Sequence, residues 1–81
     1  MRFVVYILFS EKLGKYYVGQ TENIEKRLND HNSGMSKFTS TGIPWKLIHL
    51  FEYFDRSEAI KAERAIKRRG IKRYLQDRNL L

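Results

Sequence analysis

Residues 3–9, Phe-Val-Val-Tyr-Ile-Leu-Phe, are an unbroken β-branched and aromatic run. Such a run predicts a strand covered on both faces, central in its sheet. Leu13-Gly14-Lys15 supplies a turn, and residues 16–19 predict a short second strand pairing back as a hairpin. Thr21 suits the N-cap of a helix over 22–32, with Glu22 and Glu25 complementing the dipole in its first turn and Asn32-Ser33-Gly34 ending it. Residues 34–44 are polar and rich in Ser, Thr and Gly, with Lys37 and Phe38 among them. A loop of that length is either functional or a mobile connector. Residues 45–54 alternate large apolar positions with Lys46, His49 and Glu52, which predicts a third strand. Asp55 followed by Glu58 resembles the capping arrangement of a helix over 57–69, and Gly70 breaks that helix. Residues 71–78 predict a short terminal helix with Tyr74 and Leu75 packing inward. The order strand, strand, helix, strand, helix, helix describes an α/β (α+β) fold, a three-stranded antiparallel sheet flanked by helices.

Two helix faces carry polar residues where apolar ones belong. At roughly 100° per residue, Ala59, Ile60, Ala62 and Ile66 share one sector, and Glu63 lies inside it. A buried carboxylate is costly unless it is paired or metal-bound. In the first helix Ile24 and Leu28 mark the buried stripe, and Arg27 and His31, four residues apart, run along its edge.

The length of 81 residues sets one domain, residues 1–81, with one small core. Without cysteine there are no disulfides, no thiol catalysis and no cysteine zinc site. The apolar start is interrupted at Ser10 and Glu11, so no signal peptide or membrane span fits and the expected address is the cytoplasm. The net charge of +7 changes the picture more. It attracts polyanions, nucleic acid first among them. The cations concentrate after Arg56, and Lys61, Arg64 and Arg68 share the helix face opposite the apolar sector. A solvated face kept soluble by charge is the plain alternative. A membrane surface is disfavoured, because the opposite face lacks a broad Leu, Phe and Trp stripe.

Tyr6, Tyr17, Arg27, His31 and Glu63 together contain what a phosphodiester hydrolase needs. An Arg neutralises a pentacovalent phosphate, one carboxylate with waters and substrate phosphate is ordinary for Mg²⁺, and a basic group takes the proton of the attacking water. Each alone also has an ordinary structural explanation: packed strand aromatics, a surface ion-pairing Arg, a helix-end His, a Glu63–Lys67 ion pair.

In order along the chain, Val4-Val5-Tyr6, Tyr17-Val18-Gly19 running into Arg27-Leu28, His31-Asn32-Ser33-Gly34, Pro44-Trp45-Lys46-Leu47 and Ser57-Glu58-Ala59 through Glu63 resemble the GIY-YIG nuclease family. The likeness is to a small stand-alone domain similar to the N-terminal nuclease domain of the bacterial nucleotide-excision-repair excinuclease. The resemblance implies that Tyr6 and Tyr17 lie side by side near the scissile phosphate. Arg27 would clamp the phosphate, and His31 would help to deprotonate a tyrosine or water. Glu63 would be the protein ligand of one Mg²⁺ or Mn²⁺. Gly19 permits close backbone approach or serves a turn. Three features depart from the family pattern, the first being that the helix-hairpin-helix modules, zinc fingers or specificity domains of larger members are not expected in a chain of 81 residues. Val4 and Val5 replace the glycine and isoleucine of the first triplet, and Asn79 is the only candidate for the late asparagine. The resulting expectation is a divalent-metal-dependent DNA endonuclease in repair or DNA processing, selective for structured or single-stranded DNA, with RNA as an alternative substrate and a protein partner as a possible source of specificity. Lys61, Arg64 and Arg68 would hold phosphates, and Lys37 and Thr39 either touch phosphate or lie in a solvated loop. The alternative is a non-catalytic nucleic-acid-binding module of the same fold.

Overall fold

The computed structural model describes residues 2–81. Strands β1 (Phe3–Ser10), β2 (Lys15–Thr21) and β3 (Trp45–Tyr53) form one sheet in the order β2-β1-β3, with both outer strands antiparallel to β1. The unbroken apolar run is the central strand, because its successive side chains point to opposite faces and both faces are covered. Val5 and Ile7 join Val18, Ala59, Ile66 and Leu75 in one core, beneath α2 (Arg56–Arg69) and α3 (Ile71–Asp77). Tyr6 and Leu8 join Trp45 in the other, together with Ile24 and Leu28 of α1 (Ile24–Asn32). Burial of a Val, Ile or Leu side chain contributes about 1.5–3 kcal/mol, so the sheet is held from both sides by the residues that make β1 apolar.

The start of α1 differs from the sequence expectation. β2 continues to Thr21, which pairs with Val4, and the ladder keeps Thr21 out of the helix. Asn23 is the cap instead, its side-chain oxygen accepting the Lys26 N–H at 3.1 Å. Glu22 therefore falls outside α1 and pairs with Arg56 at 3.0 Å, leaving Glu25 as the acid of the first turn. Asp55 caps α2 as its sequence position suggests, accepting the Glu58 N–H at 2.8 Å. Gly70, at φ +94°, takes the chain from α2 into α3 through a backbone conformation that side chains strain.

The segment between α1 and β3 is packed, not a free connector. It contains a 3-10 turn, Ser40–Gly42, and buries Thr39 and Gly42. Asn32 accepts the Trp45 backbone N–H at 2.7 Å and donates to the Trp45 carbonyl at 3.1 Å. The Trp45 indole N–H donates to the Thr39 carbonyl at 2.7 Å. A buried indole needs an acceptor, and meeting that need folds the loop back over α1.

Candidate active site

Tyr6 lies opposite Gly19 in the β1–β2 ladder and Tyr17 lies opposite Leu8. Both tyrosines are on the α1 face, with ring centroids 6.3 Å apart. A Cβ on Gly19 would lie 2.5 Å from Tyr6 Oη and 2.7 Å from Cζ. Gly19 is thus inside strand β2 and not at a turn, and the missing side chain makes room for the Tyr6 phenol.

The 3.6-residue period of α1 aims Arg27 and His31 at that phenol. Arg27 Nε donates to Tyr6 Oη at 3.3 Å, and His31 Nε2 is 3.0 Å from the same oxygen. On the other side of the ring, His31 Nδ1 is 2.8 Å from Thr39 Oγ1. Tyr6, His31 and Thr39 are all buried, while Arg27 is half-buried. Arginine only donates, so the Tyr6 oxygen accepts there and keeps its own hydrogen for His31. A neutral His31 then accepts at Nε2 and donates its Nδ1 hydrogen to Thr39, an assignment that follows from the bonding pattern.

The electrostatics agree with that protonation. Burial pushes the His31 pKa down, and the Arg27 charge adds to the effect, against a smaller opposing pull from Asp30. Burial also pushes the Tyr6 phenol up. The Arg27 hydrogen bond opposes it, while the Tyr17 and Glu63 charges add to the rise. At rest the pair is a protonated phenol beside a neutral imidazole.

Glu63 reaches the neighbourhood from α2, and its charge is felt at Tyr6. Its side chain is 20% exposed and its Oε2 meets Lys67 Nζ at 2.7 Å. The ion pair and the inward placement therefore occur together. Among the described residues no three acids or histidines gather as a ready-made metal cage. A hard divalent ion would rest on Glu63, whose half-buried carboxylate fits the preference of Mg²⁺ for one carboxylate completed by waters and phosphate oxygens.

Lys37, Lys61, Arg64 and Arg68 are exposed, and among the described residues none of them forms an ion pair. Arg68 also lines a groove of about 530 Å³ at the α2–α3 corner with Lys67, Arg69, Lys72 and Arg73. Asn79 ends the chain's last turn at φ +56° and, among the described residues, its side chain makes no hydrogen bond to this cluster. Thr39 corrects the expectation of a solvated loop residue, since it is buried against His31. No local signal singles it out, since the Trp45 indole N–H takes the Thr39 backbone carbonyl, an acceptor that every residue carries.

Known proteins give the geometry a family. The model of the GIY-YIG catalytic domain matches residues 2–75. A UPF0213 protein of Streptococcus pneumoniae is 40% identical over 75 residues, covering 84% of this chain and 76% of its own. A UPF0213 protein of Listeria innocua is 42% identical over 67 residues, covering 78% and 74%. The solution NMR structure of the UPF0213 protein BH0048 from Bacillus halodurans superposes with a TM-score of 0.61 at 28% identity, over 99% of this chain and 85% of that one. With the family model spanning nearly all of its length and its two tyrosines meeting on the central hairpin, this chain belongs to the GIY-YIG nuclease family.

Proposed function

We propose that the protein is a divalent-metal-dependent DNA endonuclease of DNA repair or processing, acting in the cytoplasm, with Tyr6 as its general base. The observation that carries this reading is the Tyr6 hydroxyl held between Arg27 Nε at 3.3 Å and His31 Nε2 at 3.0 Å. The Tyr6 proton passes to His31 Nε2, while the Nδ1 hydrogen stays on His31, donated to Thr39 Oγ1. The phenolate takes a proton from water, whose oxygen attacks phosphorus as the P–O bond to the leaving sugar oxygen breaks, and that oxygen gains the proton that His31 releases. Arg27 has further N–H groups free to meet the negative charge that builds on the phosphate oxygens. His31, with its depressed pKa, hands its proton on readily. Bound at Glu63, a metal would supply Lewis-acid polarisation of the phosphate and would offset the Glu63 charge, which adds least to the rise that burial causes at Tyr6. Lys37, Lys61, Arg64 and Arg68 hold backbone phosphates without reading sequence.

The test is incubation with labelled single-stranded, duplex, flapped and four-way-junction DNA, and a matched RNA, with Mg²⁺ or Mn²⁺ and then with chelator. Cutting that needs metal and disappears in Glu63→Ala is the expected result. Salt-sensitive binding with no cutting of any substrate would leave only a binding module.

A further inference from the structure

Beyond Tyr17, on the side away from Tyr6, lies a cleft of about 270 Å³ that the proposed hydrolysis does not use. Leu13, Tyr16, Tyr17, Phe38 and Trp45 line it, with Lys15 on its wall. Phe38 is 83% exposed. Its ring centroid lies 6.1 Å from that of Tyr17, which in turn is 6.2 Å from Trp45 and 5.0 Å from His31. Tyr17 is therefore shared between the cleft and the Tyr6–His31 pair. Phe38 also stands on a fixed mount. The next residue, Thr39, is tied by its side chain to His31 and by its carbonyl to the Trp45 indole, so the exposed ring is held at the cleft by a buried anchor.

An exposed phenylalanine contributes nothing to the core, and an aromatic cleft continuous with a phosphate-handling cluster has a natural occupant. We propose that this cleft receives an unpaired nucleobase next to the scissile phosphate, stacked on Phe38 and Tyr17, with Lys15 on the adjoining phosphodiester. Aromatic rings bind bases through their π-faces, and in a duplex those faces are covered by neighbouring base pairs, so the base must be single-stranded or extruded. Lys15 and the net charge of +7 favour an anionic ligand over an apolar protein surface. The inference rests on the nuclease reading and names the substrate feature that the same site selects.

Binding is measured by fluorescence anisotropy in chelator, where nothing is cut, with a labelled short oligothymidylate and a strand of equal length made of abasic phosphodiester units. Both strands present the same charge. The expected result is about tenfold tighter binding of the base-bearing strand, within the range that stacking of one base on an aromatic side chain provides. Phe38→Ala should bring the two affinities together, and Phe38→Tyr should keep them apart. Because Phe38 is 83% exposed, an unchanged circular dichroism spectrum is expected and separates this effect from unfolding. Equal affinities in the wild type, or a ratio that survives Phe38→Ala, would overturn the proposal. Metal-dependent cutting without base preference removes the cleft and leaves the nuclease. Base preference in a protein that cuts nothing keeps the cleft and removes the nuclease.

Discussion

A methyl group on Gly19 would lie 2.5 Å from the Tyr6 oxygen, and Gly19→Ala is expected to move the phenol away from Arg27 and His31. Overpacking of this kind costs about 1–3 kcal/mol, so urea denaturation should show a modest loss of stability and cleavage assays a larger loss of rate. Thr39→Val keeps the shape but leaves His31 Nδ1 without its partner, at a cost of about 1–3 kcal/mol, measurable by the same denaturation. His31 also gives stability a pH dependence. Its folded pKa is lowered, by burial first and by Arg27 second, so below its ordinary value of about 6.5 the unfolded chain binds a proton that the folded chain refuses. The contribution is present in full above that value and is lost as pH falls towards the folded pKa. Denaturation midpoints should fall between about pH 7 and pH 5.5, and His31→Gln should flatten the fall. Tyr6, Tyr17, Arg27 and His31 were legible as a set from residue type and order, and the structure brings them together. Thr39 was not legible, because its burial depends on Trp45 and Asn32 closing the loop, contacts that no local pattern announces.

At the scale of elements, the site is made where one helix from each face of the sheet meets the central strand. α1 brings Arg27 and His31, and α2 brings Glu63 with Lys67 one turn on. In the proposed reading a metal at Glu63 would compete with that lysine. Lys67→Met should therefore tighten Mn²⁺ binding, followed by calorimetry, by about twofold, the scale of a partly exposed ion pair; weaker binding would mean that the lysine supports the ion. The central place of β1 and the Asp55 cap of α2 could be read from the chain, since each depends on neighbours in sequence. The start of α1 could not. Thr21 and Asn23 are both good caps, and the choice is made by the β1–β2 ladder, which holds Thr21 in the strand.

Across the whole molecule, the charge of +7 is not spread evenly. Lys61, Arg64 and Arg68 on α2 and the groove at the α2–α3 corner make a basic flank. Among the described residues no helix is long and apolar enough to cross a membrane. Binding of single-stranded DNA should weaken steeply with salt. Combined Lys61→Ala and Arg64→Ala should reduce the slope of log affinity against log salt by about 0.7 for each phosphate contact removed, read by titration at several salt concentrations. The sequence showed the basic run and its helix face, but not the groove, because Gly70 sets the angle at which α3 folds back.

In the proposed reaction the buried Tyr6 hydroxyl acts first. Single-turnover cleavage of the preferred substrate in saturating Mg²⁺, comparing the wild type with Tyr6→Phe, tests it most directly. The variant keeps the ring that packs beneath α1 and loses only the oxygen that Arg27 and His31 share. A fall in rate of about a hundredfold or more, the least that general-base catalysis contributes, with the fold and DNA affinity retained, is the predicted result. Cleavage by Tyr6→Phe at the wild-type rate would rule out Tyr6 as the base.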